Sequence, residues 1–201
     1  MLKVGITGGI GSGKSLISEI FALLGMPVYD SDKRAKEIMY DNDEVRSAVT
    51  DEFGAESYNG DGSLNRQYIA SLVFSDDAML AKLNAIVHPA VGADFENWSK
   101  RHKDAAYIIK EAALIFEAGI NTSLDKVILV FAPEDLRISR VMQRDQIDKE
   151  SVLNRIANQW SDEKKAPLSD FVIVNDGDQS LLRQTLEIHN FLLQCAQNPA
   201  K

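Results

Sequence analysis

Three sets of residues in this sequence have the types and spacings to do chemistry. The first is Gly8-Gly9-Ile10-Gly11-Ser12-Gly13-Lys14-Ser15, which satisfies G-x-x-x-x-G-K-[ST]. Glycines admit backbone conformations barred to other residues, so successive N–H groups can turn inward around phosphate oxygens. A helix opening at this point adds its positive dipole end and carries Leu16 in its first turn. Lys14 supplies a mobile charge for β- and γ-phosphates, and the Ser15 hydroxyl can ligate Mg²⁺. Gly8, Gly9, Gly11, Ser12, Gly13, Lys14, Ser15 and Leu16 are the candidate contacts of a nucleotide's phosphates.

The second set is Asp30 and Asp32, on either side of Ser31. Ligands of open α/β sheets bind at the carboxyl ends of strands. A carboxylate there can accept the proton of an acceptor hydroxyl, or orient it for in-line attack on a γ-phosphate. Asp30 or Ser31 can also cap the helix that follows. The two readings are compatible, with Asp30 structural and Asp32 facing the acceptor. The third set is Arg137, Arg140 and Arg144, which share one helix face. A solvated basic face is the ordinary meaning of such a row. In a chain of net charge −8 that must hold a polyanion, it has a second use, because arginine stabilises charge on a transferring phosphoryl group. Arg155 and Gln159 repeat the i, i+4 spacing, so the stretch 137–160 reads as a lid that excludes water.

The elements that must position these groups follow from periodicity. Leu2–Thr7 reads as a buried strand. Leu16, Ile17, Ile20, Phe21, Leu23 and Leu24 recur at helical spacing, with Gly25 closing the helix, and Pro27–Tyr29 reads as a second strand. From Lys33 to about Lys103 the pattern is helical, in pieces Arg34–Tyr40, Glu44–Phe53, Asn65–Phe74 and Asp77–Val87. His88-Pro89 then interrupts, and another run continues through Trp98. This is too long for a simple crossover and implies an inserted helical lobe over the strands' carboxyl ends. Strands return at Ala106–Ile109, with room to extend to Ile115, and at Lys126–Ala132. Helices from Pro133 and Glu134 and from Lys149 to Trp160, a strand at Phe171–Val174 and a helix over Ser180–Cys195 complete the chain. The fold class is α/β: a P-loop NTPase-type parallel sheet flanked by helices, with an inserted helical substrate domain and a helical lid. Residues 1–32, 104–136 and 161–201 form the nucleotide-binding core, 33–103 the acceptor-binding lobe and 137–160 the lid.

Composition removes other classes. The chain has 201 residues, with 22 Lys plus Arg against 30 Asp plus Glu. So acidic a chain lacks the basic footprint of a non-specific nucleic-acid binder. No apolar run approaches the roughly 18–20 residues of a membrane helix, and the N-terminus lacks a signal peptide's layout. The single cysteine, Cys195, forms no internal disulfide. The expectation is a soluble cytoplasmic domain with no nucleic-acid, membrane or obligatory protein partner. No Asn-Lys-x-Asp guanine reader occurs, and the run after Ala106, Tyr-Ile-Ile-Lys-Glu, has no plain Walker B Asp. A GTPase and a mechanical ATPase are disfavoured; a small-molecule kinase remains.

On these residues the chain resembles the dephospho-coenzyme A kinase family. The matching pieces are Ile6-Thr7-Gly8-Gly9-Ile10-Gly11-Ser12-Gly13-Lys14-Ser15, Asp30-Ser31-Asp32, Leu64-Asn65-Arg66 with Val73-Phe74, His88-Pro89, Leu114-Ile115-Phe116-Glu117, Arg137 through Arg144, Gln159, and Asp170 through Asn175. The resemblance implies ATP-dependent, Mg²⁺-assisted phosphorylation of the ribose 3′-hydroxyl of dephospho-coenzyme A. It implies Asp32 as catalytic base, Arg140 on the ATP phosphates with Arg137 and Arg144 beside it, and Asn175 near adenine. It also draws Thr7, Arg66 and His88 toward the acceptor. Taken alone, His88 reads as a helix-end or packing residue, and Asn175-Asp176-Gly177 as a turn. One departure stands out: the family usually reads Asp-x-Pro-Leu-Leu-Phe-Glu where this chain has Glu111-Ala112-Ala113-Leu114-Ile115-Phe116-Glu117. The competing readings are a nucleoside or nucleotide kinase, and a nucleotide-dependent binding switch without transfer.

Overall fold

The computed structural model describes residues 1–73 and 76–198. Its strands are β1 Leu2–Thr7, β2 Val28–Asp30, β3 Tyr107–Glu111, β4 Lys126–Phe131 and β5 Phe171–Val174. Its α-helices, in chain order, are α1 Lys14–Leu23, α2 Ser31–Asp41, α3 Asp43–Phe53, α4 Arg66–Val73, α5 Asp77–Arg101, α6 Glu134–Asp145, α7 Lys149–Ala157, α8 Asp162–Lys165 and α9 Leu181–Gln197. Phe74, which ends the helix expected over 65–74 and the Val73-Phe74 match, lies outside the described residues. None of the described helices is long and apolar enough to cross a membrane.

Two compact units divide the chain, one from Met1–Asp30 with the described part of His102–Lys201, the other from the described part of Ser31–Arg101. The first holds a parallel sheet in the order β2-β3-β1-β4-β5. Every residue of β3 is buried, as a parallel strand covered on both faces requires. Val4, Ile6, Tyr107, Ile109, Ile128 and Ile173 of the strands pack with Ile17 and Phe21 of α1 and Ile188 and Leu192 of α9. Ala112, Ile115, Phe116 and Val127 form a separate cluster with Trp160 packed against it. The Tyr107 hydroxyl and His189 Nδ1 share a buried hydrogen bond of 2.5 Å, which satisfies both polar groups inside the core.

β3 stops at Glu111, short of the extension toward Ile115. Its partners run out there: β1 pairs to Ile6↔Glu111 and β2 to Asp30↔Glu111. The chain turns immediately afterwards, which leaves the Glu111 side chain at the carboxyl end of the sheet. Lys165 closes α8 with no solvent exposure, its ammonium 2.9 Å from Glu117 and donating to the Ala113 carbonyl at 3.2 Å.

The second unit is helical, and here the break expected at His88-Pro89 does not occur. α5 runs through Pro89 as one helix of 25 residues. An interior proline costs about 3 kcal/mol, through a lost hydrogen bond and a clash with the preceding turn. Val87, Val91 and Phe95 of the same helix are buried, and each such side chain contributes about 1.5–3 kcal/mol. Packing of α5 against α2, α3 and α4 therefore outweighs the local penalty. Arg34 ties α2 to α5, donating to both Asp94 oxygens at 3.0 and 3.3 Å while it meets Asp41 at 2.6 Å.

Phe21 has no solvent exposure and meets the Tyr107 ring edge-on at 6.2 Å. Phe21→Ala removes that ring from a close-packed site, and a loss of about 3–5 kcal/mol is expected from urea unfolding.

Candidate active site

The segment Gly8–Ser15 joins the central strand β1 to α1. Gly13 sits at the N-cap of α1 with φ +97°, a left-handed conformation that favours glycine, and a Cβ there would overlap Asn175 Nδ2. At Gly9 a Cβ would overlap the Arg137 guanidinium. Side chains thus press on the loop from behind and leave no room for larger residues. Lys14 Nζ donates to the carbonyls of Gly8 at 2.9 Å and Gly9 at 3.4 Å, while the Ile10 amide donates to Gln159 Oε1 at 2.8 Å. Gln159 in turn adjoins Trp160, whose amide donates to Glu117 Oε1 at 2.8 Å. The segment after α7 is thereby pinned to both the loop and the turn after β3.

Ser15 Oγ donates to Glu111 Oε1 at 2.9 Å. Asp30 lies beside Glu111 in the β2–β3 register, so two carboxylates and a hydroxyl meet at the ends of adjacent strands, next to the loop. Burial, with the like charge of Asp30, raises the Glu111 carboxyl above its usual 4.5, against hydrogen bonding and the Lys14 ammonium. Mg²⁺ takes oxygen ligands and is commonly held by one or two carboxylates together with substrate phosphates. The donor set fits that ion. Among the described residues, no group of three or more His, Cys, Asp or Glu could hold a metal. Sequence reading sought an Asp at this place and left Glu111 without a role. The signal was present in an apolar run, Tyr107 to Ile109, followed by Lys110 and then an acid at the strand's last position, Glu111.

A cleft of about 210 Å³ opens over the loop, lined by Gly11 and Gly13 to Ser15 on one side and by Arg140, Val141 and Arg144 of α6 on the other. That is smaller than the roughly 300–1,000 Å³ of a typical ligand pocket. Arg144 is held by Asp145 at 2.7 and 3.1 Å, and Arg155 by the same carboxylate at 2.8 Å. Arg137 points elsewhere. It is 7% exposed, its guanidinium lies against Gly9, and it lines a different cavity of about 330 Å³ with Gln159, Trp160 and Asp162. The i, i+3, i+4 row of α6 is therefore split around the loop, one arginine behind it and two over the cleft.

Of the remaining expected site residues, Thr7 has no exposure and its hydroxyl donates to the Ala113 carbonyl at 3.1 Å. Asn175 is also buried, its side-chain amide donating to the Ser12 carbonyl at 2.7 Å and accepting from Arg140 at 3.1 Å. Leu16 lies in the first turn of α1 and is exposed. Asp32, Arg66 and His88 belong to the helical unit, at the start of α2, the start of α4 and within α5. Partial desolvation holds the His88 imidazole below its usual 6.5 despite the upward pull of Asp32, so it is neutral at pH 7.

A family profile described as dephospho-CoA kinase matches residues 2–180, the loop and the whole helical unit included. The chain belongs to the dephospho-CoA kinase family. A dephospho-CoA kinase of Bacteroides fragilis is 40% identical over 194 residues, covering 96% of this chain and 94% of that protein. Among solved structures, a Thermus thermophilus protein superposes with a TM-score of 0.84 at 34% identity, over 94% of this chain and 96% of that one. The dephospho-CoA kinase of Campylobacter jejuni shares the fold, with a TM-score of 0.71 at 24% identity over 96% and 97% of the two chains. Dephospho-CoA kinases are ATP-dependent kinases, and the cleft between loop and α6 has the charge such an enzyme needs.

A buried carboxyl with a raised pKa favours the fold below its unfolded pKa and loses that contribution as pH rises through the folded value. Glu111→Gln should therefore raise the thermal midpoint at pH 7, with the gain vanishing in acid below the ordinary glutamate range. Transfer should fall about 100-fold. A calorimetric pH series and steady-state kinetics check the two halves.

Proposed function

We propose that the chain transfers the γ-phosphate of ATP to the ribose 3′-hydroxyl of dephospho-coenzyme A, the last step of coenzyme A synthesis. The observation that carries this reading is the extent of the family match. It runs through Ser31–Arg101 as well as the phosphate loop, and the acceptor is what distinguishes one P-loop kinase from another.

The geometry of the site supports the residue roles. The amides of the Gly8–Ser15 loop other than those of Ile10 and Ser12, which are already committed, receive the triphosphate with the N-terminal end of α1, and Lys14 leaves the Gly8 and Gly9 carbonyls to meet the β- and γ-phosphates. Arg140 and Arg144 cover the cleft and stabilise charge on the transferring group. Arg137 serves from the outer side of the loop, where its guanidinium supports Gly9. Ser15 and Glu111, with Asp30 alongside, would hold Mg²⁺, which when bound offsets negative charge on the phosphates.

Asp32 lies two residues beyond the end of β2, so the chain keeps it within about 7 Å of Asp30 in Cα terms. Its carboxylate takes the proton of the 3′-hydroxyl as that oxygen bonds to the γ-phosphorus and the bond to ADP breaks. Arg66 and His88, carried on the same helical unit, bind the acceptor. The residues 31–101 form the acceptor-binding part, and α6 and α7 close over the nucleotide to limit wasteful hydrolysis.

The test is phosphate transfer by the purified chain to dephospho-coenzyme A beside a panel of nucleosides and nucleotides. Transfer confined to dephospho-coenzyme A is the expected result. Preference for a nucleoside or nucleotide, or ATP binding with no phosphorylated product, overturns it. Asp32→Asn should lower kcat about 10²- to 10⁴-fold while ATP affinity by calorimetry stays within about twofold. Lys14→Ala should instead weaken ATP affinity and transfer together.

A further inference from the structure

Arg140, an expected phosphate ligand, is positioned by uncharged neighbours. Its guanidinium reaches Asn175 Oδ1 at 3.1 Å, the Asn175 carbonyl at 3.4 Å from both terminal nitrogens, and the Gly11 carbonyl at 3.5 Å. These partners are neutral, and among the described residues no carboxylate pairs with it. Arg144, one turn later on α6, is by contrast clamped by Asp145.

Asn175 is itself held from three sides. Its amide N–H donates to the Phe131 carbonyl at 2.8 Å, its side-chain Nδ2 donates to the Ser12 carbonyl at 2.7 Å, and its side chain packs where a Cβ on Gly13 would otherwise stand. The partners also fix which way the side-chain amide faces. A carbonyl cannot donate and a guanidinium cannot accept, so exchanging Oδ1 and Nδ2 would set acceptor against acceptor and donor against donor.

We propose that Asn175 is a positioning residue that presents Arg140 to the phosphates of ATP, anchored on the phosphate loop through Ser12. An aspartate of the same size would also hold Arg140, but it would cancel the charge that the triphosphate is to meet and set two acceptors, its carboxylate and the Ser12 carbonyl, against each other. The neutral amide aligns the guanidinium and leaves its charge for the ligand. The inference rests on the reading that ATP's phosphates occupy the cleft under α6.

The experiment is a double-mutant cycle on ATP affinity, measured by calorimetry on the full chain, with thermal midpoints recorded for every variant. Asn175→Ala should weaken ATP binding about 10-fold in the wild-type background and less than about 3-fold in Arg140→Ala, because the residue it aligns is then gone. Equal losses in both backgrounds, or no loss in either, overturn the proposal. Asn175→Asp keeps the side-chain volume and the contact to Arg140 and, with its folding checked by the thermal midpoint, should lose more than 10-fold in affinity. Wild-type affinity in Asn175→Asp overturns the proposal as well. If the wild-type chain binds no ATP, or Arg140→Ala binds it as tightly as wild type, the cleft reading fails and this one falls with it. ATP binding with an additive cycle defeats this one alone.

Discussion

A loop that must offer its own amides to an anion cannot spend them all on holding itself in shape. The segment Gly8–Ser15 has few side chains with which to brace itself, so its rigidity comes from neighbours. Asn175 takes the Ser12 carbonyl, Gln159 takes the Ile10 amide, Lys14 bridges two carbonyls of its own loop, and Arg137 fills the space behind Gly9. Three different elements thus converge on eight residues: the end of β5, the segment after α7, and α6. Preorganisation of this kind is what makes an anion site strong, since the donors need not be gathered when the ligand arrives. The sheet order serves the same end, because β1 lies at the centre and the loop leaves from the position with a neighbouring strand on either side.

The distribution of charge obeys the same constraint. The chain carries a net charge of −8, yet the walls of the phosphate cleft bring Lys14, Arg140 and Arg144 together. Beside them, Asp30 and Glu111 concentrate negative charge where strand pairing ends. Burying a carboxylate next to another is costly unless a cation compensates. The pairing of an anion-seeking surface with a cation-seeking one, joined at Ser15 and Glu111, is the electrostatic arrangement that the proposed metal–triphosphate complex would need.

Much of this was legible from residue order. β1 and β5 have the bounds that their apolar runs imply, because a short apolar run flanked by turn residues leaves little choice of where the strand begins and ends. The helical unit was legible as helices, but Pro89 misled. A local rule for proline was overridden by side chains of α5 that pack against three other helices, and periodicity alone carries no weight for such contacts. The partners of Asn175 and Glu111 were obscured for a related reason. These partners, Ser12 and Ser15, are 163 and 96 positions away, and only the folded sheet brings them together. Arg137 shares a helix face with Arg140 in the one-dimensional pattern, yet the loop comes between them, a distinction that spacing on a single helix cannot express.

The ion pair between Lys165 and Glu117 bears on how such a chain can diverge. Lys165 has no contact with water, and Glu117 also receives the Trp160 amide. Removing either charge strands the other inside the protein at about 3–5 kcal/mol, whereas an apolar pair of similar volume would cost little. Intermediates between those two end states carry a large part of the fold's whole margin as a penalty. The two positions are therefore expected to drift as a unit, and descendants that dispense with the pair should have lost both members together.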